Sequence, residues 1–418
     1  MGFLFLLIAI EILMLLVAYL YLGIPSVIYS HLYRGVYLKR YNQDYSPSLS
    51  IFIPCQGTGN HLAHNVRIFL ENHYPQARLF FIVESRQDPA YAAIARLIED
   101  RPEAFLVEAG PAGACGQKNH NLIQGIKAAE RKDDVYVFFD SISTFTPDQL
   151  HDLLVPLSDP NVSVSTGFRW DILRAGTLGQ RVHAFMIAVQ WSLLNSLFIR
   201  GTWGGCTAIR RQTFEEMEVA TYWARTVVDD TALVNLLHRQ RRKVVLVPTC
   251  IKEIDSPAMT VKESILWFRR QVLYTKFYRR FDWSCALALL VWCSANFLAF
   301  PVLLACALIW PDAAVAPFAA VTGICALAEM ICAICLKRPA QDNHSVFSWL
   351  LLSPVFIVCT TSAFVLGLFT TVLRWRHVIY HLDYDGIVKR VERSGESTYA
   401  GDIGPSEVLA STDSAEAV

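Results

Sequence analysis

Two adjacent carboxylates, Asp229 and Asp230, are the residues whose types and spacing most directly suggest chemistry. Repulsion between neighbouring carboxylates raises the pKa of one of them, which suits a general base. The residues upstream suit the lining of a pocket, because glycine lets backbone approach a ligand and an indole ring offers a flat apolar face. They are Trp203, Gly204 and Gly205. The segment therefore predicts a pocket with a base, although a tight turn followed by an acidic helix start would have the same sequence.

Further candidate residues come at the ends of four apolar runs, which consist of β-branched and aromatic residues and predict buried strands. The runs are residues 49–55, 79–85, 105–110 and 135–141. Glu84 and Asp140 lie at the ends of two of them. Because ligands bind at the carboxyl ends of strands in a parallel sheet, these side chains predict a nucleotide site. An unpaired charge after an apolar strand is costly, which makes Asp140 the strongest candidate after Asp230.

The order of the elements predicts an α/β fold. Strands and helices alternate through the middle of the 418-residue chain, which is typical of a mostly parallel sheet with helices on both faces. The runs 162–170, 206–210 and 244–248 predict further strands of this sheet. Neither GxGxxG nor GxxxxGK(S/T) is present, which argues against a dehydrogenase or a P-loop protein. The net charge of zero argues against a protein that binds nucleic acid through a basic surface.

Apolar residues make up 53% of the chain and concentrate at its two ends, which predicts membrane segments there. Residues 1–33 have no basic residue before their apolar run and no small-residue cleavage site after it. They therefore predict an uncleaved N-terminal transmembrane anchor. Arg34, Lys39 and Arg40 follow it, so the positive-inside rule places the next domain, residues 34–260, in the cytoplasm.

The C-terminal part of the chain predicts further membrane contact. Residues 261–283 mix basic and aromatic side chains, which is typical of an amphipathic helix at a membrane interface; a surface helix of the soluble domain is the alternative. Residues 284–373 predict the C-terminal membrane segments. Their last apolar run has basic residues at both ends, so we predict a re-entrant or interfacial hairpin broken near Ser353 and Pro354. Residues 374–418 predict a cytoplasmic tail that is largely disordered.

Seven motifs resemble those of a known family. They are SIFIPCQGTG, IVESRQDP, GQKNHNL, VFFDSIS, GTWGGCTAIRR, VVDDTAL and FRRQVLY, within residues 49–278. In this order they resemble the membrane-bound inverting GT-A glycosyltransferases of family two and their ceramide glucosyltransferase relatives. The resemblance implies a GT-A nucleotide-diphospho-sugar transferase domain with a mostly parallel sheet, and transmembrane helices at both ends of the chain.

The resemblance also implies roles for individual residues. The donor nucleotide sugar would be bound by Pro54, Glu84, Lys118, Asp140 and Arg270. The acceptor would be bound by Trp203, Gly204 and Gly205. Asp140 would also hold Mg²⁺ or Mn²⁺, hard cations that prefer carboxylate and phosphate oxygens. We favour Asp230 as the general base, with Asp229 beside it, but the sequence does not decide between the two.

Two motifs depart from the family's pattern. The DxD motif reads Asp140-Ser141-Ile142, so its second acid is missing and the metal must be held by Asp140 with water or another ligand. The (Q/R)xxRW motif runs from Arg270 to Tyr274 but lacks its arginine. Because the resemblance implies that this motif holds the growing glycan in polysaccharide synthases, its loss argues against a long polymer.

The resulting expectation is an inverting hexosyltransferase that moves glucose from a UDP-sugar to the hydroxyl of a membrane lipid of the ceramide or diacylglycerol type. The protein would be integral to the bacterial inner membrane or an equivalent membrane, with its catalytic domain in the cytoplasm. Its partners would be the donor and the lipid, and not nucleic acid. The alternatives are a synthase that extends a short polysaccharide and a non-catalytic membrane scaffold with the same fold.

Overall fold

The computed structural model describes most of the chain between Leu38 and Arg393. The described residues are 38–59, 61–72, 74–130, 133–172, 176–195, 201–256, 258–310, 315–334, 346–375 and 378–393, with isolated positions among the first sixteen. Apart from those positions, the predicted anchor at 1–33 lies outside the described residues, as does the predicted tail beyond Arg393. The chain forms two compact units. The first consists of Met1–His31, Asp171–Ile199 and Ala258–Phe369, and the second of Leu32–Trp170, Arg200–Pro257 and Thr370–Val418.

The helices and strands follow one another in an order that begins as a regular alternation. In chain order they are β1 (Leu49–Pro54), α1 (Leu62–Glu71), β2 (Ala77–Val83), α2 (Pro89–Ile98), β3 (Ala104–Glu108), α3 (Gln117–Ala128), β4 (Val135–Phe139), α4 (Pro147–Leu154), β5 (Val162–Ile172), α5 (Leu178–Asn195), β6 (Cys206–Arg210), α6 (Arg211–Glu216), α7 (Val219–Trp223), α8 (Asp230–Arg239), β7 (Lys243–Asp255), α9 (Val261–Tyr278), α10 (Arg280–Ile309), α11 (Ala316–Ile334), α12 (Val346–Leu366), β8 (Val372–Trp375), β9 (Val378–Leu382) and β10 (Val388–Arg393).

The second unit is built on a seven-stranded sheet with the order β3-β2-β1-β4-β6-β5-β7. Strands β1, β2, β3 and β4 are parallel, whereas β6 runs antiparallel to both β4 and β5. The predicted mostly parallel α/β sheet is confirmed, and each predicted strand is present. Because β1, β2 and β4 are parallel neighbours, their carboxyl ends meet at one edge of the sheet.

Aromatic packing fixes the end of β4, from which the chain enters the candidate site. Phe139 is its last residue and stacks on Phe145, with ring centroids 4.7 Å apart. Phe69 of α1 packs against both rings, at 5.9 Å and 5.6 Å. All three rings are buried, so the residue after Phe139 leaves the sheet from a rigid part of the core.

The first unit consists of helices α5, α9, α10, α11 and α12 in its described part. Two of them, α10 and α12, are long and apolar enough to cross a membrane. Helix α9 packs against the end of α12 within the first unit, and its predicted position at a membrane interface stays a prediction. Phe268 is buried and packs on Phe364 of α12, with ring centroids 6.3 Å apart. Lys276 Nζ donates to the carbonyl oxygens of Gly367 at 2.8 Å and Leu368 at 2.6 Å, just after α12 ends.

The predicted hairpin near Pro354 is wrong, because α12 is one continuous helix that contains this proline. Proline lacks the N–H that would bond to the carbonyl four residues earlier, which here belongs to Leu350. Ser353 Oγ donates to Leu350 O at 2.7 Å and satisfies this carbonyl instead. The helix therefore continues where the isolated proline signal indicated a break.

The first part of the predicted tail is ordered as far as Arg393, whereas residues 395–418, whose composition predicted disorder, lie outside the described residues. Strands β8, β9 and β10 form a three-stranded antiparallel sheet of the second unit. The turn before β10 is held by Asp383, whose Oδ1 accepts from the backbone N of Asp385 and of Ile387, both at 2.9 Å. Alternating apolar residues, among them Val378 and Tyr380, are buried, which supplies the packing that a disordered segment lacks.

Candidate active site

Lys118 contacts both of the acidic segments that the sequence predicted to lie in the site. Its Nζ lies 2.7 Å from Oδ1 of Asp140, the residue that follows β4, and 3.0 Å from Oδ2 of Asp229. The same ammonium donates to the carbonyl oxygen of Gly204 at 3.1 Å. Three oxygens from three separate segments therefore converge on one positive charge. This contact brings three parts of the chain into one site. They are Asp140 at the end of β4, the VVDD segment (residues 227–230) and the glycine loop (residues 203–205).

Asp230 begins helix α8, and several donors orient its carboxylate. Oδ1 accepts from the backbone N of Thr231 and from Thr231 Oγ1, the latter at 3.0 Å. Oδ2 accepts from the backbone N of Gly204 at 3.3 Å. Thr202 Oγ1 donates to the backbone carbonyl of Asp230 at 3.1 Å. Because each of its two oxygens accepts a hydrogen bond, the Asp230 carboxylate is held in one orientation within the site.

The VVDD segment is held against the start of α3, the helix that carries Lys118. Gly116 N donates to Thr226 O at 2.9 Å, and a Cβ on Gly116 would lie 1.9 Å from the carbonyl oxygen of Val227. Asn119 Nδ2 donates to the backbone oxygen and to the hydroxyl of Thr226, each at 3.1 Å. Asn119 is completely buried, so these bonds are shielded from water. The glycine permits the close approach that sets the distance from Lys118 to Asp229.

The glycine loop also requires glycine for steric reasons. A Cβ on Gly204 would lie 2.5 Å from Asp229 Oδ2 and 2.8 Å from Lys118 Nζ. A Cβ on Gly205 would meet the indole of Trp203 at 2.3 Å. That indole packs edge-on against Phe168 and lines a small cavity of about 20 Å³. These contacts give Trp203 a packing role, and its predicted role in acceptor binding remains a prediction.

The charges of the site shift the pKa values of two groups. Burial, followed by the charge of Asp229, raises the pKa of Asp230 from 3.8 to about 6, against the opposing influence of Lys118. Burial lowers the pKa of Lys118, but Asp140 and Asp229 outweigh it and raise that pKa above its usual value. At neutral pH Lys118 is therefore charged, while Asp230 is ionised and more basic than an ordinary aspartate.

The predicted nucleoside residues lie at the neighbouring strand ends. Pro54 is the last residue of β1, and Glu84 follows β2. Asp88, which was not among the predicted site residues, accepts hydrogen bonds at Oδ1 from Ala90 N and from Gly57 N, both at 2.8 Å. Gly57 has a φ of 64°, and this bond fixes the loop after β1. An Asp-Pro pair that begins a helix was the signal that could have identified Asp88.

Arg393 was also not among the predicted site residues, and its Nη1 lies 2.5 Å from Glu84 Oε1. Arg393 belongs to β10, inside the segment that was predicted to be a tail, so no local pattern indicated this contact. The predicted donor residue Arg270 lies on α9, in the first unit. Among the predicted site residues, those that the contacts above bring together all belong to the second unit.

Comparison with known proteins gives the family. A model described as Glycosyl transferase family 21 matches residues 12–388. The chain belongs to glycosyl transferase family 21. The match covers the glycine loop, the VVDD segment and the apolar helices. It confirms a glycosyltransferase, which the resemblance to family two and its ceramide glucosyltransferase relatives had predicted. No curated protein matches the chain.

Two solved structures resemble the family 21 chain. The mannosyltransferase PcManGT from Pyrobaculum calidifontis, in complex with GDP-Man and Mn²⁺, has a TM-score of 0.52 at 15% identity, over 87% of this chain and 99% of that one. This likeness supports the GT-A type of sheet. Glucosyl-3-phosphoglycerate synthase from Mycobacterium tuberculosis, in complex with Mn²⁺, UDP and phosphoglyceric acid, has a TM-score of 0.37 at 14% identity, over 56% of this chain and 78% of that one.

The oxygen atoms around Lys118 in this family 21 chain are of the type that Mg²⁺ and Mn²⁺ prefer. Asp140 and Asp229 each direct one carboxylate oxygen at the same point, and Gly204 adds a carbonyl oxygen. Among the described residues, no group of three or more His, Cys, Asp and Glu side chains could hold a metal ion. The Lys118 ammonium lies at the point on which these oxygens converge, and the carboxylates of Asp140 and Asp229 are of the kind that bind Mg²⁺ when substrate phosphates complete its coordination.

Proposed function

We propose that this chain transfers glucose from UDP-glucose to the hydroxyl group of a membrane lipid of the ceramide or diacylglycerol type, with inversion at the sugar carbon. Asp230 is the general base. Lys118 and Asp140 bind the diphosphate side of the donor, and Pro54 and Glu84 bind its nucleoside. The acceptor hydroxyl approaches past the loop of Gly204 and Gly205.

The observation that carries this proposal is the contact of one ammonium with Asp140 and Asp229. Asp140 follows a central parallel strand, where a donor is expected, and Asp229 immediately precedes the proposed base. Gly204 links the two parts, because its carbonyl accepts from Lys118 and its N–H donates to Asp230. The backbone of Gly204 therefore contacts both the lysine on the donor side and the proposed base.

The chemistry needs one proton transfer and one displacement. The Asp230 carboxylate accepts the proton of the acceptor hydroxyl while the acceptor oxygen forms a bond to the anomeric carbon. The bond from that carbon to the diphosphate oxygen breaks on the opposite face, and UDP leaves with the electron pair. A pKa of about 6 leaves Asp230 ionised at neutral pH and able to accept a proton in the transition state.

The leaving diphosphate requires positive charge. Lys118 is a fixed cation beside Asp140, and charge-assisted hydrogen bonds of this type stabilise phosphate oxygens. A divalent cation held by Asp140, with Asp229 nearby, would supply further neutralisation of the leaving group when bound.

The lipid acceptor and the membrane location are supported by the apolar helices. Helix α10 exposes large apolar side chains along its length, including Leu298, Val302 and Leu308. A soluble protein rarely exposes so continuous an apolar surface, whereas a lipid-facing helix requires it. We assign the protein to the inner membrane of a bacterium or an equivalent membrane, with the catalytic residues on the cytoplasmic side.

The test is transfer from a panel of nucleotide sugars to membrane lipids, with the products in the organic phase identified by mass spectrometry. Wild-type protein is expected to form a hexosyl lipid from UDP-glucose. Asp230→Asn is expected to lose at least about 10³-fold in turnover and to keep UDP binding, because only the base is removed. Asp148→Asn, an exposed carboxylate on α4, is the matched control. Wild-type turnover in Asp230→Asn would refute the assignment of the base.

A further inference from the structure

The C-terminal sheet β8–β10 lies against the part of the second unit that carries the proposed donor residues, yet the proposed function gives it no role. Val388 N donates to the carbonyl oxygen of Arg225 at 2.9 Å, which ties β10 to the loop before the VVDD segment. Tyr380 Oη of β9 accepts from the backbone N of Gln117 at 3.1 Å. Tyr380 is buried, with 3% of its surface exposed, so this contact belongs to a packed interface. Gln117 is the first residue of α3 and directly precedes Lys118.

Arg393 extends this contact to the end of β2. Its Nη1 pairs with Glu84 Oε1 at 2.5 Å, and its Nη2 donates to Gln117 Oε1 at 2.6 Å. The side chains of Arg393 and Glu84 are 30% and 21% exposed, so the pair is only partly open to solvent. One planar guanidinium therefore bridges the proposed nucleoside carboxylate and the helix that carries the proposed diphosphate contact.

The side chain of Gln117 has further partners that fix it in this position. Its Oε1 also accepts from Ala112 N at 2.8 Å. Its Nε2 donates to Gly110 O at 2.9 Å and to Asn121 Oδ1 at 2.8 Å. Gln117 thus holds the loop after β3, the first turn of α3 and Arg393 together.

We propose that Arg393 is a positioning residue of the donor site, which orients Glu84 for the nucleoside of the donor and fixes the start of α3. This inference rests on the proposed function, because it takes Glu84 and Lys118 as donor contacts. The pairing uses Oε1 of Glu84 and leaves Oε2 for a ribose hydroxyl. A carboxylate that is already oriented loses less side-chain entropy when the donor binds, so its hydrogen bond contributes more to affinity.

The same strand offers a matched control. Arg390 lies three residues earlier on β10, so its side chain points to the opposite face of the sheet. Its side chain is 65% exposed, and its guanidinium contacts Glu392 within the C-terminal sheet. Arg390→Gln therefore removes the same charge from the same strand without touching Glu84 or Gln117.

The experiment is titration of the full-length protein in detergent with UDP and Mg²⁺, combined with steady-state kinetics for the donor. Arg393→Gln is expected to weaken UDP binding about fivefold and to raise the donor KM by a similar factor, which corresponds to about 1 kcal/mol. The value of kcat should stay unchanged, because Arg393 does not touch the reacting atoms. The melting temperature without nucleotide should change little, because a partly exposed ion pair contributes little to stability. Tyr380→Phe removes the acceptor for Gln117 N and is expected to weaken UDP binding in the same direction. Arg390→Gln should bind UDP as the wild type does.

Each other result overturns the inference in a recognisable way. If Arg393→Gln binds UDP as tightly as Arg390→Gln, the contact with Glu84 has no role in donor binding. Tighter binding by Arg393→Gln would mean that the guanidinium competes with the donor for Glu84. A lower melting temperature without any change in UDP affinity would mean a purely structural role. If the wild type itself does not bind UDP or any other nucleoside diphosphate, the proposed function fails together with the inference.

Discussion

Replacing Asp229 with asparagine should move the acidic limb of the pH–rate profile of transfer to lower pH. Transfer requires the ionised form of Asp230, so the rate should fall as the pH drops through the pKa of this residue, about 6. The charge of Asp229 is one of the two causes that raise this pKa, and its removal favours ionisation. Lys118, which then has one carboxylate partner fewer, continues to lower the pKa of Asp230.

The size of the shift follows from the order of the causes. The pKa rises by about two units from its usual value of 3.8, and burial contributes more than Asp229. Loss of the Asp229 charge should therefore recover at most about half of the rise, or about one pH unit. At pH 5 the ionised fraction of Asp230 would increase from about 9% to about 50%, so the rate relative to its plateau should increase about fivefold.

The assay measures the rate of single-turnover transfer between pH 4.5 and 8.5 at fixed concentrations of donor and lipid. The midpoint of the acidic limb is fitted from the pH–rate profile, and the height of the plateau is not used. The plateau of Asp229→Asn can be lower because Asp229 also contacts Lys118, but the midpoint reports only on the base. Asp148→Asn controls for a general change in charge. A midpoint that stays at pH 6 or moves upward in Asp229→Asn would refute either Asp230 as the base or the repulsion between the two residues.

Three further predictions concern the same site. Gly204→Ala places a methyl group 2.5 Å from Asp229 Oδ2, so kcat/KM should fall about 100-fold, whereas Gly113→Ala, which has no atom within 4 Å of its new Cβ, should retain activity. The pKa of Asp230 is raised in the folded state, so the folded protein binds this proton more tightly than the unfolded chain does. The free energy of unfolding therefore falls as the pH rises from 3.8 through about 6. Asp230→Asn should therefore raise the melting temperature at pH 8 but not at pH 3.5, by an amount equivalent to at most about 3 kcal/mol in thermal denaturation experiments. EDTA should suppress transfer and added Mn²⁺ or Mg²⁺ should restore it, and full activity in EDTA would contradict a role for a divalent cation.

The central part of the site could be predicted because its residues follow strong local patterns. Asp140 ends an apolar strand, and parallel strands bring such ends to one edge of the sheet. The VVDD segment starts a helix, and carboxylates at that position are recognisable in sequence. The meeting of Asp140 with Asp229 through Lys118 was not predictable from pattern, because it depends on the close approach at Gly116.

Two features could not be predicted from local sequence patterns. The contact of Arg393 with Glu84 joins distant parts of the chain, and the continuity of α12 depends on the hydroxyl group of Ser353. Arg393 and Glu84 are 309 positions apart, and only tertiary packing of the C-terminal sheet brings them together. No strand was predicted in residues 374–393, where burial of Tyr380 and its neighbours stabilises β9 and β10. In α12 the proline signal failed because the hydroxyl of Ser353 replaces the missing donor.

The ordered C-terminal sheet restricts the membrane topology of the chain. The chain leaves the second unit at Pro257 and returns to it at Thr370, and β9 and β10 are hydrogen-bonded to the segments beside Lys118. If the protein is embedded in a membrane as proposed, both ends of the intervening segment lie on the same side of the bilayer, and the number of complete crossings between them is even. Among the described helices, α10 and α12 meet the length and composition of a membrane span, so a crossing by both would satisfy this condition.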